Sequence, residues 1–401
     1  MDEQVIQYNP LTPGFFADPY PHYAQLRSQN PVHLTRFDFW IVTRYRDVVA
    51  GYEHPLLSRN TRLWEHFEVW RRGPADGPLE RMMANWLVMI DPPRHTPLRR
   101  IHEQVFNAGL FGAAPQAVRI IVDELLKPAR DAGGFDAVAD FADRIPVYLI
   151  NHLLDLPRAD WEQFVAWSRA IALTSEAQLT TKVLSAGLDA LDALRGYFGP
   201  LVAKRRDGDG DDVLTGLAVT EADGQRLSTD ELVDSLIFLY QAGHPTTSQL
   251  IALGLHSLLR NPGELARLRD NPGLLPGAVE ELHRFDGPVQ MNDRVAVADF
   301  EFLGRGIRKG QLVRLCLGSA NRDEERFPDP GRLDLCRELG GQLGYGHGLH
   351  ACVGDALGRI QARIAIGELL SSAPALCVAT EKLRYLPSPS NRGLTALPVE
   401  F

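Results

Sequence analysis

The sequence predicts a mainly α-helical protein with a small β region, and three observations carry that reading. Between residues 94 and 285, apolar side chains recur at the three-and-four spacing of helices with one buried face. Residues 32–45 alternate apolar and polar, and 289–313 shift towards the same strand-like period. No Ser/Gly or Pro tract, low-complexity segment or internal repeat divides the chain. A length of 401 residues would accommodate two or three domains, but without a linker a single domain over 1–401 is expected.

In chain order, 15–30 reads as a helix introduced by Asp18-Pro19, and 32–45 as a hairpin with a tight turn near Asp38. Helical patterns follow over 94–107, 115–132, 136–155, 160–173, 182–205, 229–259 and 263–285. Ser228-Thr229-Asp230-Glu231 is a helix-start signal, with an alcohol at the cap and an acid three residues on. Pro272 marks a stop between two helices. An irregular stretch, 319–350, precedes a final long helix from Asp355, and short strands are expected over 383–401.

Composition excludes several function classes. An apolar share of 45% fits a large core, and no stretch approaches the roughly 18 apolar residues that span a bilayer. Met1-Asp2-Glu3-Gln4 lacks the basic and apolar regions of a signal peptide. A net charge of −9 argues against nucleic-acid binding. Cys316, Cys336, Cys352 and Cys377 are too few in so long a chain for a disulfide framework. Together these predict a reduced, cytoplasmic setting without membrane attachment.

The most informative stretch is Tyr345-Gly346-His347-Gly348-Leu349-His350-Ala351-Cys352-Val353-Gly354. It sets one cysteine among glycines, directly before a helical run. At a helix start the peptide dipoles favour a thiolate, lower its pKa and make it a metal ligand or nucleophile. Gly346, Gly348 and Gly354 permit close backbone approach, as a large flat cofactor requires. The string resembles the cysteine loop of the cytochrome P-450 (haem-thiolate) family, F-G-x-G-x-H-x-C-x-G, with Tyr345 in place of the usual Phe. The resemblance implies a helix-rich prism with haem b between the central long helix and the helix after the loop. It makes Cys352 the axial iron ligand and places Tyr345, Gly346 and Gly354 against the cofactor. A thiolate ligand favours O–O cleavage.

Further motifs stand in the family's order. Glu281 and Arg284 share one helical face, which by spacing alone is a weak surface pair. By resemblance to E-x-x-R, and with Arg332 from the stretch 320–334, they form a buried Glu–Arg–Arg network that braces the cysteine loop. Asp91-Pro92-Pro93-Arg94-His95-Thr96-Pro97-Leu98-Arg99 resembles D-P-P-x-H-x-x-x-R, which maps His95 and Arg99 onto the haem propionates. Arg294 and His350 map in the same way, and an arginine fork suits a carboxylate.

The helix 229–259 carries Ala242-Gly243-His244-Pro245-Thr246-Thr247, where the family has A-G-x-[D/E]-T. Ala242 then lies against the cofactor, and Gly243 to Thr246 form the catalytic stretch. Pro245 replaces the acid of the proton relay. Proline lacks an N–H and clashes with the carbonyl of Gln241, so the helix is expected to bend or open there and hold water. Thr246 remains as an alcohol, and His244 is a titratable neighbour for the relay.

Trp64, Phe67, Trp70 and Trp86 make 60–88 aromatic-rich, in the segment that covers the substrate in the family. Trp64, Leu239, Val289, Gln290, Met291, Asn292 and Asn391 are the candidate substrate contacts, with Gln290 and Asn292 calling for a polar group on the substrate. The resemblance implies an oxidoreductase that hydroxylates, couples or cyclises a small, aromatic secondary metabolite. Free and carrier-protein-bound substrates both remain open. Ferredoxin and an NAD(P)H-dependent ferredoxin reductase are the expected electron partners, docking on Arg100, Arg359 and Arg363. The alternative is a haem-binding sensor or recruitment module without turnover, for which the missing acid at Pro245 is the only support.

Overall fold

In the computed structural model, residues 8–71, 77–174, 180–206, 210–338, 340–380 and 382–401 are described. The expected first helix is two, α1 (Pro13–Ala17) and α2 (Tyr20–Gln29). Pro19 explains the break, because a proline pushes its predecessor out of helical conformation, and Asp18 is extended at φ −148° and ψ 94°. The hairpin follows as β1 (Val32–Leu34) and β2 (Phe39–Val42), with Asp38 at φ 57° in the turn. Four short elements come next: α3 (Tyr45–Glu53), β3 (Leu57–Ser58), α4 (Phe67–Arg71) and α5 (Pro78–Met83).

The helical body is α6 (His95–Val105), α7 (Ala108–Ala132), α8 (Arg144–Leu153), α9 (Trp161–Leu173), α10 (Thr181–Arg205) and α11 (Val213–Val219), with β4 (Gly134–Asp136) between α7 and α8. The pattern 136–155 is not one helix. A wide π-helical turn, Ala137–Ala142, precedes α8. Helix α12 (Thr229–Leu259) starts on the expected capping box, with Ser228 and Glu231 bonding each other's backbone N–H. It is apolar on most sides and packs against α8, α9, α10, α14 (Leu275–Asp286) and α16 (Asp355–Ser372). The turn at Pro272–Leu274 separates α14 from α13 (Pro262–Asp270), as expected.

Strands β5 (Met291–Ala296), β6 (Phe300–Phe302), β7 (Arg305–Ile307) and β8 (Leu312–Cys316) fill the predicted strand region, and α15 (Leu317–Ala320) follows. Strands β9 (Cys377–Val378) and β10 (Pro398–Glu400) lie on either side of an extended segment. The largest sheet has the order β1-β2-β8-β5-β3, in which only β2 and β8 run parallel. A second sheet joins β4, β10 and β9. The main apolar core surrounds α12, and two smaller cores cover the faces of the five-stranded sheet. Among the described residues, no single helix is long and apolar enough to cross a membrane. One bent pair, α6 with 109–132 of α7, meets the length and composition criteria, but its apolar residues Leu98, Ile101, Val118 and Ile121 are core.

Candidate active site

A cavity of about 540 Å³ lies between α12, the cysteine loop, the end of β5 and the aromatic segment around α4. The loop is closed by the Cys352 N–H donating to Tyr345 O (2.9 Å), with Gly346 and Gly348 at φ 76° and 68°, where only glycine is unstrained. Cys352 is accessible from the cavity but otherwise wrapped by protein. Burial pushes its thiol up, and the Gly354 N–H at the start of α16 opposes this without reversing it. The depressed pKa expected from the helix start is therefore not met by the protein alone, because desolvation of a thiolate outweighs one helix end.

Tyr345, the departure from the family string, packs edge-on against His283 (4.4 Å between centroids) and under the Arg359 guanidinium (4.2 Å). Its hydroxyl has no hydrogen-bond partner. His283 is buried, its Nδ1 is also unpartnered, and burial pushes its pKa down to about 4. A Cβ at Gly344 would lie 2.5 Å from His283 Nε2, so only glycine fits there. Sequence reasoning missed His283, which sits inside the E-x-x-R string as an unassigned position.

His95, Arg99 and His350 line the cavity together, and Arg294 does not line it but lies close to His350 and Asp91. The His95 and His350 rings lie tilted against each other, 4.5 Å between centroids, and His95 is fully buried with neither ring nitrogen partnered. Burial, with His350 and Arg99 nearby, takes His95 down to about 4. Arg99 donates to Ala351 O (2.5 Å) and pairs with Glu103 (2.6 Å). Arg294 is buried over the Tyr52 ring (4.9 Å) and, among the described residues, donates to the Asp293 carbonyl alone, and burial with Arg59 adjacent lowers its pKa to about 9. His350 Nε2 lies 3.7 Å from Asp91. Burial alone would raise Asp91, but His350, Ser58 and the Arg59 N–H hold it at about 2.

Ala242, Gly243, Thr246, Thr247, Leu239 and Leu250 of α12 line the cavity. Thr246 Oγ1 donates to Ala242 O (2.7 Å). Two expectations are corrected here. The helix is not interrupted, since α12 runs unbroken through Pro245. His244 does not line the cavity but faces α8 and α9, with Nδ1 2.7 Å from Ser168 Oγ and Nε2 3.6 Å from Asp143 Oδ1. Asp143 also accepts from Ser248 and Arg169; burial opposes its ionisation, but His244, Ser248 and Arg169 hold its pKa well below the usual range. This buried cluster takes His244 out of the expected relay.

The bracing network also needs correction. Arg284 binds Glu281 in a two-bond fork (2.6 and 2.7 Å), and both side chains are fully buried. The third member is Arg337, whose Nε donates to Glu281 Oε1 at 3.1 Å. Arg332 is 64% exposed on Asp329 and Asp334, and only its carbonyl reaches the network.

On the substrate side, Trp64, Leu239, Val289, Met291, Asn292 and Asn391 line the cavity, joined by Phe67, Trp70 and Trp86. Gln290 does not. Its amide donates to Gly287 O (2.8 Å), and its oxygen lies where a Cβ of Gly318 would be. Asn292 is already engaged with the Tyr52 hydroxyl (2.6 Å). The basic docking patch is weaker than expected, because Arg100 is paired with Asp223 and Arg359 with Glu280 and Asp355.

The family model described as Cytochrome P450 matches residues 201–373. The chain is 36% identical over 411 residues to the cytochrome P450 monooxygenase PikC of Streptomyces venezuelae, covering 99% of this chain and 94% of that one. The crystal structure of CalO2 superposes with a TM-score of 0.91 at 30% identity, covering 99% of each chain. P450BioI, solved in complex with an acyl carrier protein ligated to hexadec-9Z-enoic acid, superposes at 0.88 with 30% identity, covering 97% of this chain and 99% of that one.

Proposed function

The chain belongs to the cytochrome P450 family of oxidoreductases, and on that premise we propose that it holds haem b through Cys352 and oxidises a small, flat, largely apolar substrate. The family implies haem on a cysteine thiolate in general. The observation that carries the residue assignment is that the Cys352 thiol opens into the same cavity as the His95, Arg99 and His350 side chains and the Ala242–Gly243 strip of α12, with Arg294 close behind His350. Both His95 ring nitrogens lack partners, and Arg294 is buried without a carboxylate, so their unmet hydrogen bonding fits two propionates. Arg99 and His350 complete that set. Val353, Leu357 and Leu250 supply apolar contact for a flat ring. When bound, haem supplies the activation of O2, which no side chain performs.

The protein's own contribution is positioning and proton supply. Glu281, Arg284 and Arg337 fix the segment ahead of the cysteine loop. Thr246 keeps a hydroxyl at the cavity, parked on Ala242 O. Pro245 offers no N–H to the Gln241 carbonyl, an oxygen whose second lone pair suits it to accept from water. Proton delivery through Thr246 and such water, with hydroxylation retained, is the first reading. Ferredoxin and its NAD(P)H-dependent reductase deliver two electrons.

Pro245 favours a second reading, in which slower protonation suits radical coupling or ring closure of an aromatic substrate in secondary metabolism. The carrier protein on P450BioI raises a tethered substrate as an alternative to a free one. Oxygen-18 labelling with a surrogate ferredoxin and reductase decides between the reactions. Label from O2 in the product establishes insertion, whereas an unlabelled coupled product overturns it. Absence of any product with every substrate that shifts the Soret band would leave a haem-binding module without turnover.

A further inference from the structure

Arg71 lines the cavity at the end of α4, with a side chain only 8% exposed. Its Nε donates to Glu80 Oε1 of α5 (3.0 Å) and its Nη1 to Thr174 O at the end of α9 (2.5 Å). Its Nη2 has no hydrogen-bond partner. Trp64, in the same wall, is buried with its indole N–H likewise unpartnered. The rings of Trp64 and Trp70 lie 5.8 Å apart, and Phe67 stands one helical turn before Arg71. Arg314, a further guanidinium that lines the cavity, is held by Asp293 at 3.2 Å and lies over the faces of Phe39 and Trp70.

Arginine and tryptophan only donate, so what these two nitrogens lack is an acceptor. Native interiors rarely leave buried donors unmet, and aromatic faces beside them suit a flat ligand. The charge of Arg71 is already balanced by Glu80, which would repel a substrate carboxylate brought to the same guanidinium. We infer that this wall is a carbonyl subsite, in which the substrate carries a flat ring and a neutral carbonyl oxygen that accepts from Arg71 Nη2, with Trp64 Nε1 as a second donor. The inference rests on the proposed reading of this cavity as the substrate site and names the substrate class within it.

The test is calorimetry and Soret titration of the haem-loaded enzyme with benzylacetone, hydrocinnamate and butylbenzene. Replacing Arg71 by Met removes the donor, and the affinity ratio of benzylacetone to butylbenzene is expected to fall about tenfold, the worth of one hydrogen bond from a charged donor. Arg71→Lys keeps an ion pair with Glu80 but has no second fork nitrogen, so it lowers the same ratio and serves where the Met variant does not fold. Glu80→Gln keeps an acceptor for Arg71 without the charge, and hydrocinnamate then gains on benzylacetone. A ratio unchanged in a folded Arg71 variant overturns the carbonyl subsite alone. A loss of hydrocinnamate rather than of benzylacetone binding in those variants reassigns the subsite to carboxylates and overturns the neutral-carbonyl form. No binding by any of the three compounds to wild-type enzyme overturns the aromatic-cavity reading and this inference with it.

Discussion

His283 and Tyr345 set two unpartnered polar atoms beside the Cys352 loop, and both leave a measurable signature. A buried hydroxyl without a partner is a liability, so Tyr345→Phe is expected to raise stability by up to about 1 kcal/mol in chemical denaturation. His283 is neutral when folded, with a pKa of about 4 against 6.5 for the free side chain. Its contribution is therefore complete above pH 6.5 and is lost as pH falls towards 4, on the order of 3 kcal/mol in all. His283→Leu should flatten that limb of a stability–pH profile, and an unchanged acid limb would refute the assignment. In the bracing network, Arg337→Ala should cost about 3 kcal/mol because it uncovers the buried Glu281. Arg332→Ala should stay within about 0.5 kcal/mol. The placing of Cys352 and His95 on one cavity, and of Glu281 against Arg284, was legible from motifs, since each stands at a fixed offset in a distinctive string. Arg337 was not, because two arginines lie close to Asp334, and only the turn in which the Arg337 N–H meets the Asp334 carbonyl (3.0 Å) decides which one folds back.

Helix α12 shows what a single residue does to an element. A proline in a helix interior is about 3 kcal/mol less favourable than alanine, yet α12 stays helical because its neighbours bury it on most sides. Pro245→Ala should restore the N–H to the Gln241 carbonyl and raise the melting temperature. If that carbonyl holds relay water, the same variant should release more peroxide per NAD(P)H consumed. A gain in stability with unchanged coupling would argue against the water role. Thr246→Ala should uncouple strongly without a comparable stability change. The long helices were readable because their periodicity accumulates over many turns. The division of α1 from α2 and the π-helical turn before α8 were missed, since each depends on one or two residues, such as Pro19, inside an otherwise helical pattern. The short helices α3, α5 and α11 carry too few turns to show a period. His244 was misplaced for a related reason: the sequence gives its position on α12 but not which face of that helix meets α8.

At the scale of the whole molecule, the chain carries −9, while the outer side of the cysteine loop retains little free positive charge. Arg363 is half-buried and has no ion-pair partner among the described residues, unlike Arg359. Arg363→Glu should slow reduction by ferredoxin several-fold and flatten its salt dependence, whereas Arg359→Glu should act through lost stability. Stopped-flow reduction across a salt series separates the two. The five-stranded sheet has a consequence of a different kind. Strand β2 finds its parallel partner β8 about 270 residues later in the chain. At the usual pace of roughly 5–20 residues per second on the ribosome, β1 and β2 are exposed for about a quarter of a minute to a minute before β8 is made. The hairpin is marginal alone, and the apolar Phe39, Trp40, Ile41 and Val42 stand unpaired for that interval. The first strands translated are thus among the last to be sheltered, and a nascent chain stalled before Leu312 is where aggregation or chaperone capture should concentrate.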